Sequence, residues 1–375
     1  MKLNDKIYEI SKFIPSNYSA HLSGMINFID NNKINDSVFD SYYDSISKKI
    51  DLIKEFETSF DNFINFVRDK NDSESLKGLT DIKKLLKKND ELYQECGELI
   101  FYIDCKNKDY EIKKIPESFS EKTPDFCVNW QGEYYYFEVK TIGNFKHEDQ
   151  AILRFIFNDF SSSNFLYLKY ILLIDFKNKN IEDQFEEYKG FIENEMQGVI
   201  SPTTYNKAKY EGEQFSNIEF LIKKIERNYK EGQFYKENTF LVLNVMIPYY
   251  FAFNNNDYLP YYLYSSRLIS GIFWNTAFCE KGMVVGNYNE DYRIPTLSNN
   301  RINKQGILNK YPKIKGLIIT QFNKNRDELH NFYLFRYGER LNVITSELVD
   351  EYYGWNDSLD SNGFRLRCPN NRKSE

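Results

Sequence analysis

The sequence predicts an α/β protein, a sheet with helices on both faces behind an α-helical N-terminal region. Residues 1–78 place apolar side chains at helical spacing and contain no strand-like run. From about residue 110, short β-rich runs alternate with amphipathic stretches, an order that packs helices against a sheet. Two of these runs, LKYILLIDF (168–176) and NTFLVLNVMI (238–247), are nearly all apolar, as strands buried on both faces are.

In order along the chain, KKIDLIKEFETSFDNFINFVRDK (48–70) sets Ile50, Ile53, Phe56, Phe60 and Phe63 on one helical stripe. KNDSES (70–75) is a polar break. A second helix is expected over about 79–103, with Ile82, Leu85, Leu86, Leu92, Cys96, Leu99 and Ile103 inward. YEIKKIP (110–116) reads as a short strand. TPDFCVNW (123–130) and EYYYFEVKTI (133–142) form a hairpin turning at Gln131-Gly132. A helix is expected at about 147–160, a polar helix at 181–196 and an amphipathic helix at 216–230. Further strands are expected at LISGIFW (268–274), KGLIITQF (315–322) and NFYLFRY (331–337).

Length and composition narrow the function. A chain of 375 residues has room for two or three domains, or one large domain with an insertion. The expected division is a helical region over 1–78, an α/β domain with insertions over 79–345 and a C-terminal tail over 346–375 whose basic residues cluster at 365–373. With 41% hydrophobic and 28% charged residues, disorder over most of the chain is excluded. No apolar run is long enough to span a membrane, and the N-terminus lacks the apolar stretch of a secretory signal. Five scattered cysteines (Cys96, Cys105, Cys127, Cys279, Cys368), never spaced CxxC, argue against a disulfide framework or a structural zinc site and for a reducing cytoplasm. Residues 91–300 carry 22 Lys and Arg against 31 Asp and Glu, which argues against a purely electrostatic DNA binder. The 30 Tyr and 31 Phe follow from A/T-rich codon usage and core packing, so no single aromatic is taken as a site.

The chemistry concentrates in the hairpin. Strand alternation puts Tyr134, Tyr136, Glu138 and Lys140 on one face and Tyr135, Phe137 and Val139 on the other. On the preceding strand Asp125 follows Pro124, which has no N–H for a ladder and suits a strand start. A small register slip or twist brings Asp125 beside Glu138. Two carboxylates and an ammonium then converge, and a hard divalent cation relieves the repulsion between the acids.

Pro124-Asp125, twelve intervening residues and Glu138-Val139-Lys140, set on two strands after a helix, resemble the signature of the PD-(D/E)XK nuclease superfamily. The resemblance is strongest over about residues 79–176. It implies a restriction-endonuclease-like core: a helix, a β-hairpin and a mixed central sheet flanked by helices. It also implies Mg²⁺ (or Mn²⁺) held by Asp125 and Glu138, with the Val139 carbonyl a further ligand. Lys140 would orient or deprotonate the attacking water, or stabilise charge on the phosphate. The family often adds an acid from the preceding helix. Here Glu91, Glu95 and Glu98 share a helical face, and Glu95 is favoured because it adjoins the small pair Cys96-Gly97.

His21, His147 and His330 form no zinc-hydrolase pattern, and no GxSxG, Walker or GxGxxG motif is present. The expected activity is therefore Mg²⁺-dependent hydrolysis of nucleic acid, DNA ahead of RNA, as an endonuclease in restriction or anti-phage defence. A homodimer or a partner protein is expected, and no membrane. The alternatives are a non-catalytic binding protein of the same fold and an RNA-directed nuclease effector. KKLLKK (83–88), KNKDYEIKK (106–114) and RLRCPNNRK (365–373) are the basic clusters available for phosphates.

Overall fold

In the computed structural model, residues 2–10, 16–54, 91–116, 122–142, 150–158, 167–175, 214–245, 259–263, 268–286, 297–322, 329–336, 348–349, 351–355 and 364–367 are described. The chain divides into two compact units that interleave along the sequence. One comprises Met1–Asp30, Phe39–Cys96 and His147–Glu211; the other comprises Asn31–Val38, Gly97–Lys146 and Gly212–Glu375.

The first unit contains helix α1 (Leu3–Ile10), most of α2 (Ser16–Asn31) and most of α3 (Ser37–Lys54). Leu22, Met25, Ile26 and Ile29 of α2 and Tyr42, Ile46, Ile50 and Ile53 of α3 are buried at three- and four-residue spacing. Asp30 accepts hydrogen bonds from the Asn4 N–H (3.1 Å) and the Tyr43 hydroxyl (2.8 Å). Lys6 pairs with Asp51 at 2.5 Å. The stripe expected from Phe56 onward and the helix start at 79–90 lie outside the described residues, as does the 181–196 helix.

The helix expected at 147–160 is a strand. Gln150–Asn158 pairs antiparallel with Tyr167–Asp175, so this run forms a two-stranded ribbon and is not a strand of the main sheet. The reason is in the residues: Ile152, Phe155, Ile156 and Phe157 are β-branched or aromatic and favour a pleated chain over a helix.

The second unit is built on an eight-stranded mixed sheet whose spatial order follows the chain. Its strands are β1 (Ile112–Lys114), β2 (Phe126–Trp130), β3 (Glu133–Ile142), β4 (Thr239–Val245), β5 (Gly316–Phe322), β6 (Leu329–Arg336), β7 (Glu351–Trp355) and β8 (Phe364–Arg367). β1, β2 and β3 are an antiparallel meander. β3, β4 and β5 run parallel, β6 is antiparallel to β5 and parallel to β7, and β8 is antiparallel to β7. This bears out an α/β fold with a mixed sheet flanked by helices. β4 is buried at every position, as its apolar run predicts.

Helix α4 (residues 91–107) continues into this unit from Gly97 and covers one face of the sheet. Phe101 packs on Phe126 and Phe137, with ring centroids 6.0 and 5.2 Å apart. The positions expected inward, Leu92, Cys96, Leu99 and Ile103, are all fully buried. A polar row crosses the same face: Thr141, Asn244, Thr320 and Asn331 are successive neighbours across β3 to β6. It anchors α4 at two points seven residues apart. Asn244 Nδ2 donates to the Gly97 carbonyl (2.9 Å), and Asn331 Nδ2 donates to Asp104 (2.7 Å).

The opposite face is covered by α5 (Gln214–Asn228) and α6 (Ile272–Phe278). Ile218, Leu221, Ile222 and Ile225 form a core there with Leu241, Leu243, Val245, Leu317 and Ile319. The strand expected over 268–274 is overturned. It stops at Ser270, and Ile272–Phe278 is helical. Gly271 makes the change, with a φ of 110° and no space for a Cβ, which would lie 2.2 Å from the Leu259 carbonyl oxygen. α7 (Ile307–Lys310) follows and is closed by the Arg336 guanidinium, which donates to the carbonyls of Leu308, Tyr311 and Ile314.

Candidate active site

The β2–β3 hairpin turns at Gln131 and Gly132, both at positive φ (52° and 86°), which Gly accepts without strain. The ladder is regular up to Phe126 opposite Phe137, and one step further would pair Asp125 with Glu138. Instead the Asp125 N–H donates to the Phe137 carbonyl at 3.0 Å, and its own carbonyl accepts from the Ile115 N–H at 2.9 Å. The Val139 N–H then donates to Asp125 Oδ2 at 2.7 Å. A carboxylate thus closes the ladder where Pro124 ends the strand, and it is fixed beside the Glu138–Lys140 segment.

Glu138 is 0% exposed, and the Lys140 ammonium is in ionic contact with its Oε1. Neither Glu138 oxygen has a hydrogen bond of good geometry among the described residues. A fully buried carboxylate left in that condition is costly unless a second positive charge reaches it. Burial raises the Glu138 pKa, Lys140 opposes this, Glu98 adds to it, and Lys230 opposes it. Burial likewise pushes Asp125 well above the ordinary carboxylate range, and the charges of Glu138 and Glu98 push it further. For Lys140, burial favours the neutral amine, yet Glu138 and then Asp125 outweigh it, and the net shift is upward. Lys140 therefore stays protonated at neutral pH.

These shifts have a signed consequence. A carboxyl whose folded pKa lies above its unfolded value favours the folded state below that unfolded value, here near 3.8 for Asp125 and 4.5 for Glu138. That contribution is lost as pH rises through the raised folded pKa. The melting temperature of the metal-free protein is expected to fall from mildly acidic pH to neutrality more steeply than that of Asp125→Asn. Parallel pH–melting curves that coincide would contradict it.

Of the residues singled out by sequence, Asp125, Glu138, Val139 and Lys140 come together here. Glu95 is engaged elsewhere: the Lys49 ammonium pairs with it, and the Ser45 hydroxyl donates to it at 3.1 Å. The helix acid whose charge reaches Asp125, Glu138 and Lys140 is Glu98. It acts through charge, because α4 covers the face bearing Phe137 and Thr141 while Glu138 and Lys140 project from the other. Glu98 itself lies 4.0 Å from Lys114. The small pair Cys96-Gly97, which favoured Glu95 in the sequence, also adjoins Glu98, and Gly97 is the residue pressed on Thr141 and Asn244 of the sheet. Lys230, which follows α5, had no sequence signal.

Among the described residues no three His, Cys, Asp or Glu side chains converge as ligands of one metal. Two carboxylates do adjoin, one of them fully buried with an unpartnered Oε2 among the described residues, and that pair fits a hard cation that completes its shell with water and phosphate oxygens. Among the described residues no helix is long and apolar enough to cross a membrane. Comparison with family models, with curated proteins and with solved structures returns no match for this chain.

Proposed function

We propose that this protein is a metal-dependent phosphodiesterase of the PD-(D/E)XK type, acting on nucleic acid, DNA ahead of RNA. The observation that carries the reading is the fully buried Glu138 carboxylate, paired through Oε1 with Lys140 and with Oε2 unpartnered among the described residues, beside the Asp125 segment. In this reading Asp125 and Glu138 hold Mg²⁺ or Mn²⁺, with the Val139 carbonyl as a further oxygen. The metal, when bound, lowers the pKa of a water and offsets charge growing on the phosphate.

The chain's own residues have distinct tasks. Val139 N–H orients the Asp125 carboxylate. In the metal-free protein Glu138 and Asp125 raise the Lys140 pKa, and the Lys140 ammonium lies against Glu138. The roles open to it are orienting or deprotonating the attacking water and stabilising charge on the phosphate. A defence role, in restriction or against phage, and a homodimer or partner protein for double-strand cutting belong to the same proposal.

The test offers supercoiled plasmid, single-stranded DNA and RNA to the protein with Mg²⁺, with Mn²⁺ and with EDTA. Metal-dependent cleavage that disappears in Asp125→Asn supports the reading; cleavage that survives the substitution, or none on any substrate, rejects it. A rise in melting temperature with Mg²⁺ in the absence of cleavage would favour the non-catalytic binding alternative.

A further inference from the structure

The face that bears Glu138 and Lys140 continues along the hairpin away from the site. Opposed positions in the ladder share a face, so Tyr136 lies level with Cys127 and Lys113, and Tyr134 lies level with Asn129. α4 covers the other side of this meander, through Phe126 and Phe137. On the side in question Tyr134 is 54% exposed, Tyr136 and Cys127 are half-buried, and Lys113 and Asn129 are exposed. Among the described residues only three large hydrophobic side chains are strongly exposed, and a second of them, Tyr235 at 47%, precedes β4, the other neighbour of β3.

An aromatic ring left in water on a strand is ordinarily a cost. Here two tyrosines at alternate positions of β3, about 7 Å apart along the strand, form a ladder that runs from solvent toward Glu138 and Lys140. Neither ring stacks on another or forms a hydrogen bond among the described residues. A cation flanks it: Lys113 on β1, level with Tyr136 through Cys127.

We propose that this open hairpin face is a track for single-stranded nucleic acid. Successive bases stack on Tyr134 and Tyr136, and the phosphate chain runs past Lys113 toward Lys140. The rings suit any base, because every base has a π-face, and a paired duplex keeps its bases from them. The inference deepens the phosphodiesterase reading by naming its substrate class, and rests on it for the direction of the strand.

Binding of labelled oligo-dT, oligo-rU and duplex DNA, followed by fluorescence anisotropy in EDTA, tests the track apart from chemistry. The wild type is expected to prefer single strands. Tyr134→Ala is expected to lose about tenfold in single-strand affinity, Tyr134→Phe to keep it, and duplex binding to stay unchanged. Lys113→Ala is expected to lower the slope of log affinity against log salt by about 0.7. Equal losses on both oligomers assign the track to either sugar, and a loss on one assigns it to that one. Tyr134→Ala binding like the wild type, or a wild type that binds no single strand in preference to duplex, overturns the proposal. Cleavage lost in Glu138→Gln, together with binding indifferent to Tyr134, would reject the track alone. Tyr134-dependent binding without metal-dependent cleavage would reject the phosphodiesterase alone.

Discussion

Glu138→Gln is expected to cut Mg²⁺-dependent cleavage by about a thousandfold, the scale of losing one preorganised charge contact in the transition state. The substitution keeps the side chain's shape and removes its charge. It removes repulsion with Asp125 and also the charge paired with Lys140, which keeps Asp125 as a partner, so the metal-free variant is expected to melt near the wild-type temperature at neutral pH. That pairing of lost activity with kept stability separates a site residue from a structural one. Lys140→Ala is a poorer probe, because it strips the counter-charge from a buried carboxylate and costs about 3–5 kcal/mol. Plasmid relaxation and a thermal melt on the same preparation read both quantities. Cleavage by Glu138→Gln within tenfold of the wild type would remove the metal from Glu138.

Gly97→Ala is expected to destabilise the protein by about 3 kcal/mol, against the gain of up to about 1 kcal/mol that helix propensity alone gives alanine over glycine. The sign is decided by space. A Cβ on Gly97 would lie 1.9 Å from Thr141 Oγ1 and 2.7 Å from Asn244 Nδ2. Asn244 also donates to the Gly97 carbonyl, so separating helix from sheet breaks a buried hydrogen bond and does not relieve the clash freely. Because Glu98 is the next residue, a shift of α4 also changes the charge acting on Asp125 and Glu138. Chemical denaturation of Gly97→Ala measures the loss; a variant as stable as the wild type would mean that α4 does not sit on the polar row.

Where the local pattern was unambiguous, it was also sufficient. β2, β3, β4, β5 and β6 appear where alternating or apolar runs were found, within a few residues, because burying those runs requires extended pairing. The pairing of Glu138 with Lys140 follows from strand alternation alone. Misreadings came where two patterns compete. The 150–158 run is short and apolar enough for a helix or a strand, and pairing with 167–175 decides it. At 268–274, one glycine at φ 110° splits an apparently continuous strand.

The helix acids show a different limit. Glu91, Glu95 and Glu98 are equivalent on a helical wheel, and nothing local says that Lys49 and Ser45 engage Glu95. The slip at Asp125 is likewise a tertiary event. Pro124 announces an ending, but only the Val139 N–H shows that the side chain takes over the ladder.

By itself the sequence determined the α/β order, the hairpin and the one-sided placement of Glu138 and Lys140, because each depends on neighbours within a few residues. Tertiary structure alone decided which helix acid bears on the pair, how Asp125 reaches it, and that Tyr134 on the same strand stands open to solvent. Those outcomes depend on which segments, far apart in the chain, compete for the same backbone groups and the same burial.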